Sequence, residues 1–264
     1  MFQLKKDTTY MMPAHFGGNI FDPSYKATQH GITLSVTFET DRVELERYIP
    51  EELELLAPEV QVAMNQLSEI NWLGGGRYNL VVVSVPARFN GKKDHVEAAY
   101  PLIVWENRTA PILTGREQTG VPKTFADIED LHIYRPYYAT SVSYEGNTFL
   151  TMTFEAGVPV KGHDFEQAKL QLRSLDLIGW RYIQKVGGPG ADLSQFIYFP
   201  QWMEVEKVEG GKGTLQWTEL SFMQNPTQHH IIKLLANLPV KSVTRSILVE
   251  GEIILETPKA RVLE

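Results

Sequence analysis

The chain has 264 residues, 43% hydrophobic and 11% aromatic, enough to bury a sizeable core, and its length suits a single domain over residues 1–264. Its formal charge of −7, with basic residues scattered along the chain, lacks the basic patch of a nucleic-acid binder, so nucleic acid is not an expected partner. The absence of cysteine excludes disulfides, thiolate zinc sites and cysteine nucleophiles. Neither the stretch from Met1 to Asp7 nor any later run has the apolar length of a signal peptide or membrane span, and the expectation is a soluble cytoplasmic protein with no membrane partner.

The first expected strand, Ile32 to Glu39, is dense in β-branched and aromatic side chains. Asp41 with Glu44 starts a short helix that Pro50 stops. Val60 to Leu67 and Tyr78 to Phe89 are strands on either side of a turn at Gly74-Gly75-Gly76, and Leu102 to Trp105 is the next. Tyr137 to Tyr144 and Thr148 to Phe154 flank a hairpin turn at Glu145-Gly146-Asn147. A helix opens at Asp164 with Gln167 at capping-box spacing; Phe165, Ala168, Leu172, Leu175, Ile178 and Tyr182 share one face and carry it toward Gly187. The run from Glu209 to Gly213 reads as a turn before a strand from Leu215 to Phe222. Pro226 to Leu238 then reads as a third helix and Ser246 to Leu255 as the last strand. Three helices cannot cover a parallel sheet of so many strands. The fold class is therefore α+β, mostly antiparallel, with a large sheet or closed barrel and a few flanking helices.

Chemistry concentrates in Gly115-Arg116-Glu117-Gln118-Thr119-Gly120-Val121-Pro122-Lys123. Pro122 fixes its own φ and biases Val121 toward extended geometry, so Lys123 is presented by a stiff segment. If the backbone is extended, Arg116 and Gln118 share one face and Glu117 takes the other. These residues resemble the signature of the acetoacetate decarboxylase superfamily, in which Gly-Arg-Glu is followed by Pro-Lys. Phe89-Asn90-Gly91, Trp105-Glu106-Asn107 and Leu238-Pro239-Val240-Lys241 are similar to further family landmarks in the same order, and the likeness covers roughly residues 30–262.

That resemblance implies a closed, cone-like β fold with the lysine inside, a homo-oligomer, and an amine that forms a Schiff base with a small keto acid without any cofactor. In acetoacetate decarboxylase, the standard example of such an activated amine, a second lysine follows the first; here that position is Thr124. Desolvation therefore has to do most of the work of freeing the Lys123 amine. An arginine and two glutamates of the decarboxylase site align near Gly31, Ala63 and Leu80, so its substrate arrangement is replaced.

Gln118, directly after Gly-Arg-Glu, is similar to the aldolase-dehydratase branch, which adds lysine-bound pyruvate to an aldehyde. On that reading Arg116 clamps the carboxylate and Gln118 hydrogen-bonds it or the new hydroxyl. Glu117 serves as an acid/base or orients Arg116, and Tyr78 is the candidate proton donor. Decarboxylation of acetoacetate and simple binding of a small apolar molecule are the alternatives. His229-His230 lacks a third ligand at metal spacing, and no metal is expected.

Overall fold

In a strand, successive side chains face opposite sides, so a sheet covered on both faces is built from nearly continuous apolar runs. Leu80-Val81-Val82-Val83 is such a run. In the computed structural model, which describes residues 1–20, 22 and 24–264, Val81 and Val83 enter the main core with Val62, Met64 and Trp105, while Leu80 and Val82 line a cavity on the other face.

Strands β1 (Ala27–Glu39), β2 (Glu59–Ile70), β3 (Gly76–Asn90) and β4 (His95–Glu106) form an antiparallel meander. The short β5 (Lys123–Phe125) pairs in parallel with β4. Strands β6 (Tyr137–Tyr144) and β7 (Asn147–Pro159) form one hairpin, and β8 (Leu177–Gln184) and β9 (Ala191–Phe199) another. The long β10 (Gln201–Trp217) and β11 (Ser242–Leu255) run antiparallel between β7 and β1.

The helices are α1 (Arg42–Glu46), α2 (Thr109–Thr114), α3 (Gly162–Leu172) and α4 (His229–Ala236). The Asp41 carboxylate caps α1 by accepting from the backbone N–H of Val43 at 3.0 Å and of Glu44 at 3.2 Å, as the sequence predicts. No helix is long and apolar enough to cross a membrane among the described residues.

Three expectations are corrected. Pairing proceeds through β6, β7, β10, β11, β1, β2, β3, β4, β8 and β9, with Tyr134 and Val262 in short strands beyond its ends, and those ends do not pair with each other. The 15-stranded sheet is thus open among the described residues, not a closed barrel. The helix expected to run from Asp164 toward Gly187 ends at Leu172, and Leu177–Gln184 is strand β8. Glu209 to Gly213 is no turn: it lies inside β10, paired with β7, and a Cβ on Gly211 would come within 2.6 Å of the Phe154 ring. Gly211 makes room there for an aromatic side chain.

Candidate active site

Strand register alone assembles most of the site. Residues directly opposite each other on neighbouring strands point to the same face. One transverse row reads Lys123, Val104, Val82, Ala63, Ser35, Ile247, from β5 through β4, β3, β2 and β1 to β11. The next row reads Glu106, Leu80, Asn65, Thr33, Val249. Tyr78 opens a third row, opposite Leu67. All of these side chains line one cavity of about 320 Å³, which Leu172 and Leu175 at the end of α3 border on one side. That volume is at the lower end of small-molecule sites, about 300–1,000 Å³.

The Lys123 side chain is 15% exposed, and its Nζ lies 2.8 Å from Oε1 of Glu106, which is fully buried. Nζ also donates to the carbonyl of Pro111 at 3.2 Å. The contact with Glu106 is an ion pair, and no other described group donates to either Glu106 oxygen. Burial raises the Glu106 carboxyl above its ordinary 4.5, partly offset by the Lys123 ammonium. Burial, helped by the Glu106 charge, holds the Tyr78 phenol well above 10, so it keeps its proton throughout the neutral range.

Gly115 explains how the lysine fits. A Cβ there would lie 2.5 Å from Cε, 2.6 Å from Cδ and 2.9 Å from Nζ of Lys123, so the lysine stem occupies the space of the missing side chain. Because the clash is with a flexible stem, Gly115→Ala is expected to move the amine and leave the fold nearly intact. Adduct formation with a keto acid should fall about 10²-fold, while the melting temperature changes little; thermal denaturation and single-turnover trapping check both.

The rest of the motif is placed differently from expectation. Helix α2 continues directly into a wide turn over Gly115–Thr119, ended by Gly120 at φ 68°, so the segment is not extended. Arg116 and Gln118 are exposed and outside the cavity lining. The Arg116 guanidinium donates to the backbone carbonyl of Lys123 at 2.9 Å and so holds the strand that carries this lysine. Glu117 is half-buried and makes no ion pair among the described residues, whereas Tyr78 shares the cavity with Lys123.

Thr124 faces the other side of β5, where Gln228 clamps the strand. Gln228 accepts from the Trp105 indole at 2.7 Å, and donates to the Phe125 carbonyl at 2.9 Å and to Thr124 Oγ1 at 3.4 Å. Glu106 is the main residue that sequence reasoning did not assign a role. Its signal was a single carboxylate ending an apolar strand, inside the landmark Trp105-Glu106-Asn107.

A lysine and a buried carboxylate thus share one largely apolar cavity on a face of the sheet. The acetoacetate decarboxylase family profile matches residues 11–256, and the chain belongs to that family. It is 23% identical over 213 residues to the acetoacetate decarboxylase of Burkholderia ambifaria strain MC40-6, across 81% of this chain and 78% of that one. Among solved structures it is similar to the acetoacetate decarboxylase of Legionella pneumophila, with a TM-score of 0.74, 18% identity, and 94% and 92% of the two chains covered. It is also similar to MppR, an enduracididine biosynthesis enzyme solved with pyruvate, with a TM-score of 0.68, 13% identity and 93% of each chain covered. MppR has also been solved with the condensation product of pyruvate and imidazole 4-carboxaldehyde. Ala63 and Leu80 line the cavity of this chain as apolar groups.

Proposed function

We propose that this protein is a Schiff-base lyase that condenses a small 2-oxo acid of the pyruvate type with an aldehyde and then eliminates water. The observation that carries the reading is the 2.8 Å pairing of the Lys123 amine with a fully buried carboxylate. Transfer of one proton from Nζ to Glu106 frees the amine as a nucleophile and leaves two neutral groups in the cavity. The free amine adds to the keto carbon, and the carbinolamine takes a proton from Glu106 and loses water to give an iminium. The iminium acidifies the neighbouring methyl group; loss of a proton to Glu106 gives an enamine, whose carbon attacks the aldehyde. The proton now on Glu106 passes to the alkoxide formed from the aldehyde, to which Tyr78 donates a hydrogen bond, and gives the hydroxyl. Glu106 then takes a second proton from the attacking carbon and returns it to the departing hydroxyl, which leaves as water, and hydrolysis of the iminium returns Lys123.

One observation favours the second reading, decarboxylation of a β-keto acid such as acetoacetate. The charged residues of the cavity lining are Lys123, Glu106 and Asp176, so no guanidinium restrains a departing carboxylate. Incubation with pyruvate in deuterated water and with acetoacetate separates the two. Methyl exchange without carbon dioxide release supports condensation; rapid carbon dioxide release from acetoacetate without pyruvate exchange overturns it. Tyr78→Phe is expected to slow condensation about 10²-fold and to leave iminium formation with pyruvate unchanged, as read by borohydride trapping.

A further inference from the structure

The cavity has two chemically different walls. Lys123 and Glu106 stand on β5 and β4, whereas the wall on β1 and β2 carries Thr33, Ser35, Gln61 and Asn65. Between them lie Val82 and Leu80, and Ala63 in the row of Lys123 leaves open the approach to Ser35. Four strand spacings separate β5 from β1, about 19 Å measured along the sheet, and both walls line the same cavity.

Thr33 donates to Asn65 Oδ1 at 2.7 Å, and Asn65 Nδ2 has only a long 3.4 Å contact to the Ala63 carbonyl. Ser35 is 3% exposed, and its hydroxyl has no partner among the described residues. A buried hydroxyl without a hydrogen bond is costly, and native structures rarely keep one without a use.

We infer that this wall is a subsite for the hydroxylated end of the aldehyde, so that the second reactant is a small hydroxyaldehyde; this rests on the condensation reading above. The chemistry of the wall selects that class. Its groups are neutral and both donate and accept, which suits a hydroxyl. A carboxylate, which only accepts, or an ammonium, which only donates, would be desolvated there without a counter-charge.

The test compares glyceraldehyde with butanal, of similar size, as the second substrate after loading with pyruvate, in the wild type, Ser35→Ala and Asn65→Leu. The wild type is expected to prefer glyceraldehyde by at least tenfold in kcat/KM. Both variants should lose most of that preference through the KM of glyceraldehyde while the pyruvate adduct on Lys123 forms normally. Ser35→Ala should also keep or raise the melting temperature, since it deletes an unpartnered buried hydroxyl. A normal pyruvate adduct with no preference in the wild type, or with the preference intact in Ser35→Ala and Asn65→Leu, overturns the subsite. Failure of the wild type to form any adduct overturns the underlying Schiff-base reading instead.

Discussion

Lys123→Ala is expected to lower turnover of every keto-acid substrate by on the order of 10⁵-fold or more, because an amine held in the cavity acts at an effective concentration that free amines cannot match. The variant also isolates a buried carboxylate. Glu106 already has a raised carboxyl pKa, and without Lys123 the term that lowers it disappears. A folded pKa above the unfolded value contributes stability that is fully present below about pH 4.5 and is lost as pH rises through the folded pKa. Lys123→Ala should therefore lose melting temperature more steeply than the wild type as pH is raised from 4.5 upward, and should be nearest to wild type in acid. Thermal scans across that pH range, beside single-turnover assays, check both parts. A variant that keeps activity, or whose stability deficit is greatest in acid, contradicts the pairing.

Glu106→Gln is the second large effect. The amide keeps the shape of the buried side chain and removes its capacity to take a proton, so iminium formation should slow by about 10²–10⁴-fold. The wild-type rate should rise with pH as Glu106 ionises, because with both groups protonated no base is available to the amine. That midpoint lies above 4.5, since burial raises the Glu106 pKa. In Glu106→Gln this acid limb should vanish from the kcat/KM profile. Persistence of the same limb would assign it to another group and remove Glu106 from the chemistry.

How much of this was readable in the chain follows from what is local. The unbroken apolar run Leu80-Val81-Val82-Val83 marks a strand covered on both faces, the alternation in Thr33-Leu34-Ser35-Val36 marks one with an apolar and a polar face, and the Asp41 cap needs only its own next residues. Lys123 was legible because Gly115, Pro122 and the lysine sit within one short segment. By contrast, Ile178 and Tyr182 are four apart, a spacing that places them on one face of a helix and of a strand alike. Trp180 and Tyr182 beside Gly179 favoured the strand that formed as β8. Arg116 and Gln118 left the cavity because Pro111 lies in the first turn of α2, and that helix runs on into Gly115–Thr119. The Glu106 partnership depends on the parallel register that sets Val104 opposite Lys123, and register between distant segments has no local signature.

Borohydride reduction of the protein with pyruvate, followed by peptide mass mapping, shows which amine forms the Schiff base. One reduced pyruvate adduct is expected, located on Lys123, absent from Lys123→Ala and formed slowly by Glu106→Gln. An adduct on another lysine, or none with either pyruvate or acetoacetate, would contradict it.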